Sequence, residues 1–186
     1  MRFLPVVSMG PQRIFLTGEP GCGKTTAIRR ICESLRDHGK KPGGIISSEI
    51  RHKGVRTGFS LEDLLTHETG TLAQVGVETG PRVGKYTVNL QDIERVGAYA
   101  IKRAVEEADV VIVDEIGPME LQSKSFILAV EKALGSSKHL VGTIHKRASH
   151  PLVTAIKSNP AHNVIEVTSE NRERIPKSIV DELSMN

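Results

Sequence analysis

The stretch Gly18-Glu19-Pro20-Gly21-Cys22-Gly23-Lys24-Thr25-Thr26 decides the fold of this chain. It follows the apolar run Ile14-Phe15-Leu16 and precedes a segment with helical periodicity. The spacing G-x-x-x-x-G-K-[ST] between a strand and a helix is typical of a phosphate-binding P-loop. Glycines in such a loop adopt backbone angles that other residues avoid, so consecutive N–H groups can turn towards one anion. The sequence therefore predicts a nucleotide-binding loop.

Two side chains of the loop carry the predicted chemistry. Lys24 is predicted to reach the β- and γ-phosphates, and the Thr25 hydroxyl is predicted to ligate Mg²⁺. The N-terminus of the following helix adds the positive end of its dipole at the same point. We interpret the small Cys22 side chain mainly as a structural part of the loop. The predicted nucleotide-binding residues of the loop are Gly18, Glu19, Pro20, Gly21, Cys22, Gly23, Lys24, Thr25 and Thr26.

Length and composition narrow the classes of protein to consider. A chain of 186 residues suits one domain with a sizeable core, so we expect residues 1–186 to form a single domain. The net charge of +3 is compatible with anionic substrates but does not by itself indicate nucleic acid. With four Phe, two Tyr and no Trp, a platform that stacks successive bases on aromatic rings is not expected.

Cysteine content and hydropathy bear on the compartment. Two cysteines form neither a disulfide framework nor a zinc cluster, and no apolar run approaches the ~18 residues of a membrane span. We therefore predict a cytoplasmic protein that does not cross a membrane. Residues 1–11 are predicted to be a loose leader, and either Met1 or Met9 is compatible with being the start of the chain.

Strand and helix patterns alternate along most of the chain. Helices are predicted after the P-loop, at 92–107, 124–134 and 151–158, and from Pro176; strands are predicted at 12–17, 44–50, 110–113, 139–144 and 163–168. This alternation predicts an α/β fold of the P-loop NTPase class, with a mostly parallel, doubly wound sheet. The stretch 51–90 differs, because recurrent glycines separate short strand-like pieces. It is predicted to be an antiparallel hairpin insertion.

The most apolar run of the chain ends in two carboxylates. Val110-Val111-Ile112-Val113 suits a central parallel strand, and Asp114 and Glu115 follow directly. Asp114 at the carboxyl end of such a Walker-B strand is predicted to hold Mg²⁺. Glu115 is predicted to orient or deprotonate an attacking water, although a solvated or turn-capping pair is the alternative. Asp114–Gly117 also fits the D-x-x-G of GTP switches, but no Asn-Lys-x-Asp follows to read guanine.

Five segments that occur in a fixed order resemble a known family. They are Gly18–Thr26, Glu49–Phe59, Arg82–Tyr86, Asp114–Leu121 and Asn171-Arg172. Together they resemble the small P-loop nucleoside-triphosphatases known from thermophiles and, in animals, as the cancer-related nucleoside-triphosphatase. The resemblance covers about residues 12–184. It implies Mg²⁺-dependent hydrolysis of several nucleoside triphosphates and a fold like that of nucleotide kinases and RecA-like ATPases.

Positive charge beside the γ-phosphate is needed in the transition state, and several basic residues are candidates. The resemblance favours Arg51, Arg56 and Arg82 over Lys146-Arg147, with Glu49 able to orient one of them or an acceptor. We predict Arg51 and Arg56 as catalytic, together with Lys24 and Glu115. Arg172 is predicted to stack on the base, because a guanidinium plane can cover any π-face. Thr143 and His145 are either γ-phosphate sensors or ordinary core and surface residues.

These observations favour one function and leave two alternatives open. The favoured function is Mg²⁺-dependent hydrolysis of ATP, GTP, CTP and UTP to diphosphate and phosphate, with broad base specificity. The first alternative is a nucleotide, nucleoside or polynucleotide kinase; residues 145–150 are too few for an adenylate-kinase-like lid, but the 51–90 insertion could close over an acceptor. The second is a nucleotide-gated interaction module. The predicted partners are nucleoside triphosphates, with neither membrane nor nucleic acid, and no oligomeric state is predicted.

Overall fold

The computed structural model describes residues 10–184 of the chain. Most of the predicted leader, and the choice between Met1 and Met9, therefore lies outside the described residues. Gly10 and Pro11, at the end of that segment, are exposed. No helix within residues 10–184 combines the length and apolar character needed to cross a bilayer.

A single mixed sheet runs through the described part of the chain. Its strands are β1 (Arg13–Thr17), β2 (Pro42–His52), β3 (Val55–Asp63), β4 (Thr69–Gln74), β5 (Arg82–Val83), β6 (Tyr86–Val88), β7 (Val110–Ile116), β8 (His139–Ile144) and β9 (Asn163–Glu166). Their spatial order is β5-β6-β4-β3-β2-β7-β8-β1-β9. The strands from β2 to β9 in this order pair in parallel, and those from β2 out to β5 pair antiparallel. The predicted α/β sheet with an antiparallel addition is confirmed.

Helices cover both faces of the sheet. They are α1 (Lys24–Asp37), α2 (Leu90–Asp92), α3 (Tyr99–Glu107), α4 (Lys124–Leu134), α5 (Pro151–Ser158) and α6 (Ile175–Ser184). Alternate residues of β1 serve the two faces: Ile14 and Leu16 pack with α1 and α6, whereas Phe15 packs with α3, α4 and α5. The side chains of both core clusters are almost completely buried. This doubly wound arrangement fixes the carboxyl ends of the parallel strands at one edge, where such folds bind ligands.

The antiparallel part of the sheet begins on β2, which also belongs to the parallel part. This strand is longer than predicted. Its first half pairs with β7 and its whole length from Ile45 pairs with β3. Lys53 and Gly54 join the two strands, with φ values of 48° and 81°. Two residues at positive φ make the type I′ turn that matches the twist of a hairpin. The predicted insertion is therefore a continuation of the central sheet, and it carries its side chains to the same edge as the P-loop.

The predicted helix at 92–107 is interrupted in the structure. Residues Ile93–Ala98 form a π-helical segment between α2 and α3. Val96, Gly97 and Ala98 are buried in succession there, which the 3.6-residue period of an α-helix does not allow on one face. A Cβ on Gly97 would lie 3.3 Å from Leu61 Cδ1, so the missing side chain lets the segment approach β3. This close packing is a long-range contact that helical periodicity cannot reveal.

Candidate active site

The loop between β1 and α1 has the backbone conformation that an anion cradle requires. Gly18 has a φ of 146°, and a Cβ on it would lie 2.8 Å from both the Val167 carbonyl oxygen and Cys22 Sγ. No other residue fits that position. Gly23, at a φ of 108°, directly precedes the first residue of α1, Lys24. The amino end of α1 therefore faces the loop, where its dipole favours a negative charge.

A cavity of about 710 Å³ opens over this loop. Its walls come from the P-loop, the end of β2, the hairpin strands, the segment after β7 and the segment after β8. The lining residues are Gly18, Glu19, Pro20, Gly21, Gly23, Lys24, Thr25, Thr26, Ser47, Ser48, Glu49, Arg56, Phe59, Leu72, Val83, Gly84, Tyr86, Glu115, Pro118, Met119, Glu120, His145, Lys146 and Arg147. Its size lies within the range of small-molecule sites.

Lys24 turns back over the loop that precedes it. Its Nζ donates hydrogen bonds to the carbonyl oxygens of Gly18 at 3.1 Å and Glu19 at 3.3 Å. The ammonium group therefore stands over the cradle of N–H groups, where the sequence predicts that it meets the phosphates. Its charge also reaches the Walker-B carboxylates, since it opposes the rise in the pKa of both Asp114 and Glu115.

Asp114 is buried at the floor of the site, with 1% of its surface exposed. Thr143 Oγ1 donates to its Oδ1 at 2.7 Å, and Ser47 Oγ lies 3.5 Å from its Oδ2. Burial raises the pKa of Asp114, while the hydrogen bonds from Thr143 and Thr25 lower it. Thr143, which the sequence left undecided between two roles, thus supports the carboxylate. The oxygen-only surroundings of Asp114 and Thr25 are of the kind that Mg²⁺ prefers.

Glu115 lines the cavity next to Asp114. The register between β7 and β8 shifts between Val113 and Ile116, so both Asp114 and Glu115 lie within a bulge of the sheet. Glu115 Oε1 is buried and has no hydrogen-bond partner among the described residues. Desolvation raises its pKa, Lys24 lowers it and Asp114 raises it. An orphaned acceptor at this position calls for an explanation, and a bound water or ligand is the ordinary one.

Glu120 is a third carboxyl of the site, to which sequence reasoning assigned no role. It is 4% exposed and lines the cavity beside Glu115. Burial and the nearby Glu115 raise its pKa to about 8. The raised pKa favours the protonated form of Glu120 at neutral pH, next to Glu115. The sequence offered only its place in Asp114–Leu121, because its burial depends on the turn Glu120–Gln122 that folds it back under Gly117.

The two predicted catalytic arginines lie on the hairpin but are placed differently. Arg56 lines the cavity: its Nη1 donates to Glu49 Oε1 at 2.8 Å and its Nε to the Tyr86 hydroxyl at 2.9 Å. Its guanidinium also lies 5.1 Å from the centre of the Phe59 ring. Arg51 does not line the cavity, because its Nε bonds Glu49 Oε2 and its Nη1 bonds the Gly54 carbonyl. Both arginines lower the pKa of Glu49.

Three further predicted residues stand at the margin of the site. Cys22 is half-buried against the core beneath the loop, and it does not line the cavity. Arg172 is exposed, and its Cδ lies 3.6 Å from the position of a Cβ on Gly23. It therefore flanks the P-loop on the side of β9, without reaching the cavity. Arg82 is exposed on β5 and does not line it either.

The raised pKa of Glu120 leads to a prediction about stability. The unfolded carboxyl loses its proton near pH 4.5 and the folded one near pH 8, so the folded state binds more protons in between. Glu120 therefore contributes stability that is complete below pH 4.5 and is lost as the pH rises to 8, by at most about 1.4 kcal/mol per pH unit. In thermal unfolding with EDTA and no nucleotide, Glu120→Gln is expected to flatten this decline. The exposed Glu131→Gln is the control, and parallel pH curves for Glu120→Gln and the unchanged protein would contradict the assignment.

Known proteins resemble this chain over most of its length. A family model described as NTPase matches residues 13–180. The chain is 46% identical over 177 residues to Nucleoside-triphosphatase THEP1 of Thermofilum pendens. The alignment covers 95% of this chain and 97% of that relative. It is 45% identical over 170 residues to the protein of the same name from Methanosarcina acetivorans, over 91% of this chain and 95% of the relative.

Two solved structures share the fold. The crystal structure of THEP1 from the hyperthermophile Aquifex aeolicus matches with a TM-score of 0.83 and 36% identity, covering 92% of this chain and 99% of that one. The solution structure of a human cancer-related nucleoside triphosphatase matches with a TM-score of 0.77 and 35% identity, covering 91% and 96%. The similarity therefore extends over nearly the whole length of each protein.

Proposed function

The chain belongs to the NTPase family, as its motifs predict, and on that basis we propose that it hydrolyses nucleoside triphosphates to nucleoside diphosphates and phosphate. One observation carries the proposal for this chain's own residues. Lys24 and Glu115 line one cavity beside the buried Asp114, and Glu115 Oε1 has no hydrogen-bond partner among the described residues. A phosphate-binding cradle beside an acceptor for a water proton is the minimum that phosphoryl transfer to water requires.

Binding of the triphosphate rests on the loop and the amino end of α1. The backbone N–H groups of the loop, which Pro20 lacks, surround the β-phosphate, and Lys24 exchanges its carbonyl contacts for oxygens of the β- and γ-phosphates. Those carbonyl contacts are 3.1 and 3.3 Å long, so the ammonium group is held near the cradle before the nucleotide arrives. Arg172 flanks the loop on the side of β9 and serves as the contact for the base.

Thr25 and Asp114 are the residues that would hold Mg²⁺. Both present oxygen atoms at one place, with Asp114 fixed by the Thr143 and Ser47 hydroxyls. Residues 10–184 contain no cluster of three or more His, Cys, Asp or Glu side chains suited to a metal. A hydroxyl and one carboxylate, completed by phosphate oxygens and water, are the usual Mg²⁺ set in such proteins. The bound cation would offset the negative charge that develops on the phosphates.

Glu115 is the residue that orients the attacking water. Its Oε1 can accept a proton from a water placed in line with the γ-phosphate, and no protein group competes for that atom within the described chain. Glu120 beside it holds its own proton at neutral pH, which limits the negative charge of the pair. Arg56 faces the same cavity, held by Glu49 and Tyr86, and Arg51 secures Glu49 from outside. We assign charge stabilisation to Arg56 and positioning to Arg51.

Broad base specificity is the expected consequence of recognition through the triphosphate. The aromatic side chains that line the cavity, Phe59 and Tyr86, lie on the hairpin side, and the one base contact proposed is Arg172. The values of kcat/KM for ATP, GTP, CTP and UTP are therefore expected to differ by about tenfold or less. Tenfold is about 1.4 kcal/mol, the worth of one modest contact. A preference of about a thousandfold would show a specific base pocket instead.

A second candidate function is phosphoryl transfer to an acceptor hydroxyl, as in a kinase. The observation in its favour is the extent of the cavity, which continues past Glu115 to Phe59, Val83 and Tyr86 on the hairpin strands. Against it, only residues 145–150 separate β8 from α5, so an adenylate-kinase-like lid does not occur there. Hydrolysis needs no binding site for an acceptor hydroxyl, and it remains the proposed function.

Phosphate release from the four nucleoside triphosphates, with and without Mg²⁺, tests the proposed function. Each measurement is repeated with a nucleoside, a nucleoside monophosphate and a 5′-hydroxyl oligonucleotide as acceptors. The expected result is Mg²⁺-dependent release of one phosphate per nucleotide without any acceptor. Release that occurs only with an acceptor, with the label recovered on that acceptor, would establish the kinase. Tight nucleotide binding with no turnover in either case would favour a nucleotide-gated interaction module.

A further inference from the structure

The segment after β8 presents two basic side chains to the P-loop. The His145 N–H donates to the Ile116 carbonyl at 3.2 Å, which ties this segment to the end of the Walker-B strand. Lys157 Nζ donates to the Lys146 carbonyl at 2.7 Å and fixes the next peptide. The backbone of Lys146 is therefore held beside the strand that carries Asp114 and Glu115.

The Lys146 side chain reaches across to an acidic residue of the P-loop itself. Its Nζ lies 3.2 Å from Glu19 Oε1 and 2.7 Å from Glu166 Oε1, and 38% of the side chain is exposed. Arg147 contributes a longer contact of 3.4 Å to Glu19 and is 78% exposed. Lys146 and Glu19 both line the cavity, so these pairs stand over the phosphate cradle.

Glu19 is a carboxylate in a loop that is built to hold an anion. The hydrogen bond from Lys146 lowers its pKa, so it is ionised at neutral pH. An ionised carboxylate at this point repels a triphosphate unless its charge is offset. Exposed ion pairs of this kind are weak because water and salt screen them. Exchange of the carboxylates for the more highly charged γ-phosphate is therefore favourable for Lys146 once a nucleotide is bound.

We propose that Lys146 is a further catalytic residue of this site, which Glu19 and Glu166 hold over the cradle and which contacts the γ-phosphate oxygens when nucleotide binds. The inference rests on the proposed hydrolysis. The water oxygen forms a bond to the γ-phosphorus as the bond to the β–γ bridging oxygen breaks, Glu115 takes the water proton and the diphosphate leaves. Lys146 itself forms and breaks no covalent bond. Its charge offsets the negative charge on the γ-phosphate oxygens, as that of Arg56 does from the hairpin. Glu19 and Glu166 are positioning residues.

Single-turnover hydrolysis and nucleotide affinity, measured together, test the role of Lys146. Lys146→Met is expected to lower the single-turnover rate by about 10²–10³, as loss of one transition-state donor or cation does, with the Kd changed less than about tenfold. Lys146→Arg is expected to recover at least about tenfold of that rate, since the charge is restored. Lys132→Met is the matched control, because it removes the charge of a lysine that pairs with Glu106 and lies outside the cavity.

The positioning residues give a second, independent measurement. Glu19→Gln removes a like charge from the cradle and frees Lys146, so nucleotide is expected to bind about three- to tenfold more tightly at low salt, and less so at high salt. This test keeps the proposal falsifiable even if Lys146→Met does not fold. If Glu19→Gln binds nucleotide with unchanged affinity, the proposal that Lys146 moves from the two glutamates to the γ-phosphate is wrong.

The remaining outcomes separate this inference from the proposed function. A rate within threefold of the unchanged protein for Lys146→Met overturns the inference while hydrolysis stands. The role of Lys146 is also overturned if Arg147→Met shows the large loss instead. If the unchanged protein releases no phosphate in the first place, the proposed function itself is wrong and the role of Lys146 falls with it.

Discussion

Lys24→Ala is expected to lower the rate of phosphate release by about 10³ or more without unfolding the protein. The ammonium group stands over the anion cradle and, among residues 10–184, donates to the carbonyls of Gly18 and Glu19, so its loss removes charge stabilisation of the transferred phosphate. Those two contacts are not fully buried, and their loss is expected to shift the melting temperature by less than about 4 °C. Phosphate release at saturating nucleotide, beside thermal unfolding of the same sample, provides the measurement.

Lys132→Ala is the control for this change, because Lys132 pairs with Glu106 outside the cavity. It removes the same charge and the same side-chain atoms, and it is expected to leave the rate within about twofold. A folded Lys24→Ala variant with the turnover of the unchanged protein would contradict the assignment of the P-loop. The Mg²⁺ and nucleotide site would then have to be sought elsewhere.

Glu115→Gln is expected to lower the rate of hydrolysis by about 10²–10⁴, or roughly 3–5 kcal/mol of barrier, while nucleotide still binds. The glutamine keeps the size of the side chain but cannot take a proton from water. Binding is retained because the loop, Lys24, Thr25 and Asp114 are unchanged. Single-turnover hydrolysis beside nucleotide affinity separates the two effects. Asp114→Asn is expected to differ by weakening Mg²⁺-dependent binding as well as the rate.

Glu106→Gln, an exposed carboxylate that pairs with Lys132, is the matched control for the loss of one acid. Two results would contradict the role given to Glu115. Hydrolysis at the normal rate in Glu115→Gln would mean that another group orients the water. Normal hydrolysis together with lost transfer to an acceptor would mean that Glu115 serves an acceptor hydroxyl, and the kinase function would be favoured.

The parallel core could be predicted from the sequence because its signals are local. Apolar runs such as 110–113 and the P-loop spacing each lie within a few residues, and helix ends are marked by residues such as Gly39 at a φ of 71°. The π-helical segment at 93–98 could not be predicted, because it depends on how closely Gly97 packs against Leu61. The extension of β2 to residue 52 likewise follows from pairing with β3, a partner that periodicity within one strand does not specify.

The same division holds for the candidate site. Lys24 and Thr25 begin the helix after β1, and Asp114 and Glu115 lie near the end of β7, so the place of each pair follows from one nearby strand. Which arginine faces the cavity depends on the hairpin: the register shifts between Ile50 and Arg51, and Arg51 turns away to the Gly54 carbonyl. The burial of Glu120 and the reach of Lys146 to Glu19 join residues far apart in sequence. Spacing alone contains no information on such contacts.

The central claim is that water attacks the γ-phosphorus of a nucleoside triphosphate in this cavity. Single-turnover hydrolysis of ATP in water enriched in ¹⁸O tests it most directly, with the products analysed by mass spectrometry. The expected result is one solvent ¹⁸O atom in each phosphate released and none in the diphosphate. Solvent ¹⁸O in the diphosphate, or no phosphate release until an acceptor is added, would contradict it.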